Sequence, residues 1–157
     1  MSSVEHRLKE LDIVLPPSQP PLANYVSCVR SGNLIFTSGA GCFVDGQPLY
    51  TGRLGRDLSV EQGYEAAQVT ALHLLSVIKA EIGSLDRVER IVKMLGLVSS
   101  ADDFYEQPQV INGASDLLVQ IFGEKGKHAR SALGTSVLPM NLPVEIELIA
   151  EVKADEE

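Results

Sequence analysis

The 157-residue sequence predicts an α+β protein, a two-layer sandwich in which two helices cover one face of a mostly antiparallel or mixed sheet. Three observations carry that expectation. Two long stretches, one opening at Ser59 and one near Pro108, repeat apolar residues at helical spacing. Between them, residues 91–98 (IVKMLGLV) are apolar at nearly every position and of strand length. At the two ends, residues 25–38 and 144–148 carry the short or alternating runs of strands.

Taken in order, residues 3–11 fit a short helix, with Val4, Leu8 and Leu11 at spacings of four and three. Residues 15–22 (LPPSQPPL) hold four prolines, which exclude a helix and favour an extended path over the surface. Residues 25–38 (YVSCVRSGNLIFTS) read as a β-hairpin around Ser31-Gly32-Asn33, where glycine and asparagine tolerate positive φ. The Gly39-Ala40-Gly41 run behind it is small enough for a ligand or another backbone to come close; a bulge or packed turn is the plainer reading. Residues 45–58 (DGQPLYTGRLGRDL) are rich in glycine and turn formers, which predicts a long loop with at most a short strand.

Ser59-Val60-Glu61-Gln62 matches a capping box. The helix it starts has one stripe of Ala67, Ala71, Leu74, Leu75, Ile78 and Ile82, and Gly83 is placed to end it. His73 lies beside that stripe, in a structural or solvated role. Residues 91–98 then predict a central strand covered on both faces. Pro108 suits the first turn of the second helix, whose core positions are Val110, Ala114, Leu117, Leu118 and Ile121 up to Gly123. Two helices on one face leave the other face of the sheet to water or a partner, and its apolar strands predict oligomerisation there.

Composition bounds the function. The formal charge of −8 opposes any binding that neutralises many phosphates. No apolar run approaches the ~18 residues of a membrane span, and MSSVEHRLKELD is too polar for a signal peptide, so a soluble cytoplasmic protein is expected. Cys28 and Cys42 read as small apolar residues carrying thiols rather than a disulfide framework. His6, His73 and His128 are scattered, and no metal or phosphate-loop motif occurs, so neither metal nor cofactor is expected.

The remaining stretch, residues 128–152 (HARSALGTSVLPMNLPVEIELIAEV), sets Arg130 among small neighbours, then a turn with Pro139 and Pro143. An alternating strand follows, with Val144, Ile146 and Leu148 facing one way and Glu145 and Glu147 the other. If the two halves pair as a hairpin, a guanidinium and a carboxylate converge on one cleft, a candidate site for a small carboxylated substrate. A structural ion pair of Arg130 with Glu145 at a subunit boundary is the alternative reading.

The ordered set NLIFTSGA (33–40), the capped helix, LDRVERIVKMLGLV (85–98), HARSALGTSVLP (128–139) and VEIELIA (144–150) resembles the RidA family, also called the YjgF/YER057c/UK114 family. The likeness covers residues 22–153, and the 45–58 loop and N-terminal extension look like those of a longer branch. The resemblance implies a chorismate-mutase-like fold in one domain over residues 23–153, after an extension (1–22) and before an acidic tail (154–157). It also implies a homotrimer with three clefts at the subunit boundaries, and hydrolysis of reactive 2-imino acids or their enamines to 2-keto acids and ammonia. Carried over residue by residue, Arg130 matches the arginine that holds the substrate carboxylate, and Glu145 the carboxylate that positions water, with Glu147 on the same strand face left as the other choice. Tyr25 matches an aromatic residue lining the pocket, Ser38 and Gly39 the strand end beneath it. Ala132 stands where some members have a cysteine, and only its backbone carbonyl is expected to touch the imine nitrogen. A family asparagine early in the second helix has Asn112 or Asp116 as its stand-in. Two other functions remain open: a non-catalytic trimer that binds small carboxylates or 2-keto acids, and the endoribonuclease or translation-inhibitor (L-PSP-like) label of the family. The charge and the lack of a basic aromatic stripe oppose the last.

Overall fold

A computed structural model describes residues 3–155. The first two and last two residues, and with them the ends of the expected extension and acidic tail, lie outside the described residues. The first helix, α1 (Val4–Glu10), is capped by Ser3, whose hydroxyl accepts from the His6 N–H. Two carboxylates tie it down reciprocally: Asp86 Oδ1 accepts from the Val4 N–H at 2.6 Å, and Glu5 Oε1 accepts from the Leu85 N–H at 3.1 Å. Leu8 thereby enters the core.

The strands β1 (Cys28–Ser31) and β2 (Leu34–Thr37) form the expected hairpin, with Gly32 at φ +60°. The 45–58 region is more ordered than its composition suggests. It begins in a small hairpin of β3 (Phe43–Val44) and β4 (Gln47–Pro48), turned by Asp45 at φ 51° and Gly46 at φ 78°. Two positive φ values in a two-residue turn are the type I′ geometry that Asp-Gly favours. Next comes α2 (Val60–Ile82), with its capping box from Ser59 and Gln62 and its end at Gly83, φ +84°. β5 (Val88–Ser99), α3 (Gln107–Phe122), β6 (Ala129–Thr135) and β7 (Val144–Val152) complete the chain.

The main sheet has the order β1-β2-β7-β5-β6. Only β5 and β6 run parallel, joined by the α3 crossover; the other neighbours are antiparallel. This mixed sheet with α2 and α3 on one face is the α+β sandwich expected. One expectation is overturned: β6 and β7 do not pair as a hairpin, because β5 lies between them. The long apolar β5 supplies both ladders, parallel to β6 and antiparallel to β7.

The expectation that β5 is covered on both faces needs the second correction. Its helix-facing residues Val88, Ile91, Met94 and Val98 are fully buried, whereas Leu95 and Leu97 on the far face are only half-buried. That uncovered face continues through Phe36 and Val29, 41% and 55% exposed, and Leu133, 52% exposed. On the covered side the two helices approach closely. A Cβ on Gly113 would stand 2.0 Å from the Tyr64 carbonyl oxygen, so only glycine permits this crossing. Among the described residues, no helix is long and apolar enough to cross a membrane.

Candidate active site

The expected site residues fall into two groups. Arg130 pairs in register with Met94, and Ala132 with Gly96, so both share the helix-facing side of edge strand β6. Arg130 Nη1 donates to Ser115 Oγ at 3.1 Å, and its Nη2 donates to the Pro108 carbonyl at 3.3 Å. Both acceptors are neutral groups of α3, and among the described residues no carboxylate lies in ion-pair range of this guanidinium. A positive fork fixed by uncharged partners keeps its charge available for an anion.

Glu145 pairs with Leu97 and therefore projects from the opposite, uncovered face. It sits over Gly39, where an added Cβ would come within 2.9 Å of its carboxyl. Two backbone bonds between Ala40 and Ile146, at 2.9 and 3.1 Å, hold this approach. Burial first, and the neighbouring Glu147 second, push the Glu145 carboxyl above its ordinary value. Glu147 itself is exposed, so the two acids differ in environment although they share a face.

Ser38, Gly39 and Tyr25 lie together. With Leu22, Phe43 and His73 they line a cavity of about 170 Å³ beneath the proline-rich segment. Ser38 Oγ donates to the Val26 carbonyl at 2.7 Å, and the Tyr25 side chain, 53% exposed, stands at the rim. His73 meets the Phe43 carbonyl through Nε2 at 2.6 Å, the structural role expected for it. Both cysteines are free, Cys42 buried and Cys28 partly so.

Within one chain, then, Tyr25, Ser38, Gly39 and Glu145 are gathered and Arg130 with Ala132 is not. Arg130 and Glu145 are two strand spacings apart across the sheet, about 10 Å, and three residues apart along β5, about 10 Å more, on opposite faces of the sheet. The convergence expected of a hairpin is absent within one chain, because β5 intervenes. The residue on α3 that meets Arg130 is neither Asn112 nor Asp116. Asp116 instead accepts from the Tyr64 hydroxyl at 2.7 Å, and Ser115 takes the place beside the arginine. Ser115 in turn meets His128 Nε2 at 2.8 Å. Helical position could have drawn attention to Ser115, but only the β5–β6 register shows which turn of α3 Arg130 reaches.

The family model described as "YjgF/chorismate mutase-like, putative endoribonuclease" matches residues 5–152. The chain belongs to the RidA (YjgF) family. The architecture above is accordingly the chorismate-mutase-like fold of RidA proteins. Protein TCP17 of Trypanosoma cruzi is 43% identical over 150 residues, 95% of this chain and 94% of the relative. The crystal structure of Atu1372 from Agrobacterium tumefaciens, a protein of unknown function, is 42% identical with a TM-score of 0.89, covering 96% of this chain and 92% of that one. A structure named as a "putative endoribonuclease" from Shewanella oneidensis reaches a TM-score of 0.93 at 34% identity, covering 96% of this chain and all (100%) of the other. The span matched by the family model takes in the 45–58 region and all but the first residue of α1.

Proposed function

We propose that this protein hydrolyses 2-imino acids, or their enamine tautomers, to 2-keto acids and ammonia, in clefts formed between copies of the chain in a homotrimer. The observation that carries the reading is the guanidinium of Arg130, fixed by the Ser115 hydroxyl and the Pro108 carbonyl with no anion of its own. The gathered acid, Glu145 above Gly39, lies on the other face of the same sheet, so a second copy has to bring an arginine to it. The exposed apolar residues Val29, Phe36 and Leu133 give that uncovered face a reason to associate.

In such a cleft Arg130 of one copy binds the substrate carboxylate through its planar fork. Ser38 and Gly39 form the floor, Tyr25 a wall, and the Ala132 carbonyl faces the imine nitrogen. Water held by Glu145 adds to the carbon of the protonated imine; the new C–O bond forms as the carboxylate takes the water's proton and the C=N π pair moves onto nitrogen. The Glu145 carboxyl returns that proton to the amino nitrogen of the carbinolamine, the C–N bond breaks as the hydroxyl oxygen re-forms C=O and its proton passes to the departing ammonia or solvent, and a 2-keto acid remains. A carboxyl raised by burial is a stronger base near neutral pH, which suits this step. The reaction as written needs only water as co-reactant.

The test generates the imine in situ with an amino-acid oxidase or a serine/threonine dehydratase. Added protein should speed keto-acid and ammonia release, and Arg130→Ala should abolish the effect. Equal rates with and without protein would sink the hydrolytic reading. Binding of 2-oxobutanoate that depends on Arg130 without turnover would favour a carboxylate-binding trimer instead. RNA cleavage that survives extensive purification and is lost with a site variant would favour the nuclease reading, which the charge of −8 opposes.

A further inference from the structure

Next to Arg130 lies a chain of hydrogen bonds whose direction is fixed once the His128 ring is neutral. The Gly126 carbonyl can only accept, so the 2.6 Å bond places a proton on His128 Nδ1. The Arg130 guanidinium can only donate, so Ser115 Oγ accepts from it at 3.1 Å. Ser115 therefore spends its one proton on His128 Nε2, 2.8 Å away, which carries a lone pair in the neutral Nδ1–H ring. With the ring neutral, the order is Arg130 to Ser115 to His128 to Gly126.

We propose that His128 is a positioning residue that, acting through Ser115, holds Arg130 in its substrate-binding orientation, and does so only while its ring is neutral in the Nδ1–H tautomer. The inference rests on the reading that Arg130 binds the substrate carboxylate. A proton on Nε2 would turn that nitrogen into a donor. The Ser115 hydroxyl would then face two cationic donors, with the thioether of Met94 at 3.9 Å as the remaining acceptor for its own proton.

The groups facing His128 offer an imidazolium little help. They are the Ser115 hydroxyl on α3, the Gly126 carbonyl on the turn before β6, and the Arg130 charge on β6. The Glu124 carboxylate of the preceding turn pairs with Lys127 at 2.6 Å, and Glu89 lies 4.0 Å from Lys125. Burial, opposed by the Gly126 bond, and the Arg130 charge hold the ring below its ordinary value of 6.5. The neutral ring is thus the state at neutral pH, and acid breaks the relay.

The first measurement is the long-range ¹H–¹⁵N spectrum of His128 in the intact protein at pH 7.5. A protonated Nδ1 and bare Nε2 are expected; the Nε2–H tautomer would overturn the proposal. The second compares pH profiles of KM for the imine and of Kd for 2-oxobutanoate. In the wild-type protein both should rise as pH falls below 6.5. Ser115→Ala and His128→Ala should raise KM about five- to tenfold, the net worth of one hydrogen bond, with kcat little changed. His128→Gln can offer an amide oxygen to Ser115, and it should recover most of that affinity while removing the acid limb. If His128→Gln keeps the wild-type acid limb, or if KM is unmoved in both alanine variants, His128 is only packing. If Arg130→Ala binds 2-oxobutanoate as tightly as wild type, the carboxylate reading fails, and the proposal with it. Loss of binding in Arg130→Ala with unmoved His128 variants overturns the relay alone.

Discussion

Gly39 lies directly under the Glu145 carboxyl, so closely that one added methyl group would reach within 2.9 Å of three of its atoms. Gly39 does not have positive φ, so its requirement for glycine is steric rather than conformational. Gly39→Ala is expected to displace the carboxyl and lower kcat/KM for imine hydrolysis by roughly tenfold, on the order of 1.4 kcal/mol. The melting temperature should move little. Unchanged kinetics in a well-folded Gly39→Ala protein would remove Glu145 from the proposed role.

Glu145 also predicts a trade of stability against function. Its folded-state value is raised above 4.5, so the folded protein binds more protons than the unfolded chain from that pH up to the raised value. Stability therefore falls as pH rises through the window, and the ionised carboxyl remains a net cost above it. Glu145→Gln should raise resistance to urea at pH 7 while abolishing turnover, and the gain should vanish below pH 4.5. Urea titrations of both proteins at pH 4 and pH 7 check the sign.

Arg130→Lys keeps the charge and loses the planar fork. An ammonium cannot engage both oxygens of a carboxylate while also reaching Ser115 and the Pro108 carbonyl. We expect about tenfold weaker 2-oxobutanoate binding, equivalent to ~1.4 kcal/mol, measured by calorimetry. Folding stability should be nearly unaffected, because the side chain is half-exposed and bonded to neutral groups alone.

Gly113→Ala sets two effects in opposition. Helix propensity favours alanine by about 1 kcal/mol. Against this, the new methyl would overlap the Tyr64 carbonyl oxygen at 2.0 Å, and backbone cannot step aside as a flexible side chain can. Overpacking of this kind costs typically 1–3 kcal/mol, and at so short an approach we expect it to win. Chemical denaturation should show a net loss of stability; a gain would mean that the α2–α3 spacing is set by something other than Gly113.

Periodicity and local chemistry made much of this protein legible in advance. The Ser59 capping box, the Gly83 and Gly123 stops, and the apolar stripes of α2 and α3 are each written within a few residues, because helices are stabilised locally before they pack. Alternation in residues 144–148 likewise assigned Glu145 and Glu147 to one face and Ile146 to the other, and the structure agrees. The Asp45-Gly46 turn is equally local, two adjacent residues at positive φ.

What the sequence by itself determined was therefore the set of elements, the faces they bury, and, through its ordered motifs, the family. Which elements are neighbours belongs to tertiary structure. Residues 128–152 read as one hairpin because they are adjacent in sequence, yet β5 separates β6 from β7 by satisfying both ladders at once. The same insertion sends Arg130 and Glu145 to opposite faces and brings Ser115 and His128 to the arginine. Strand pairing is a long-range competition for hydrogen bonds and buried area, and no window of sequence contains both competitors.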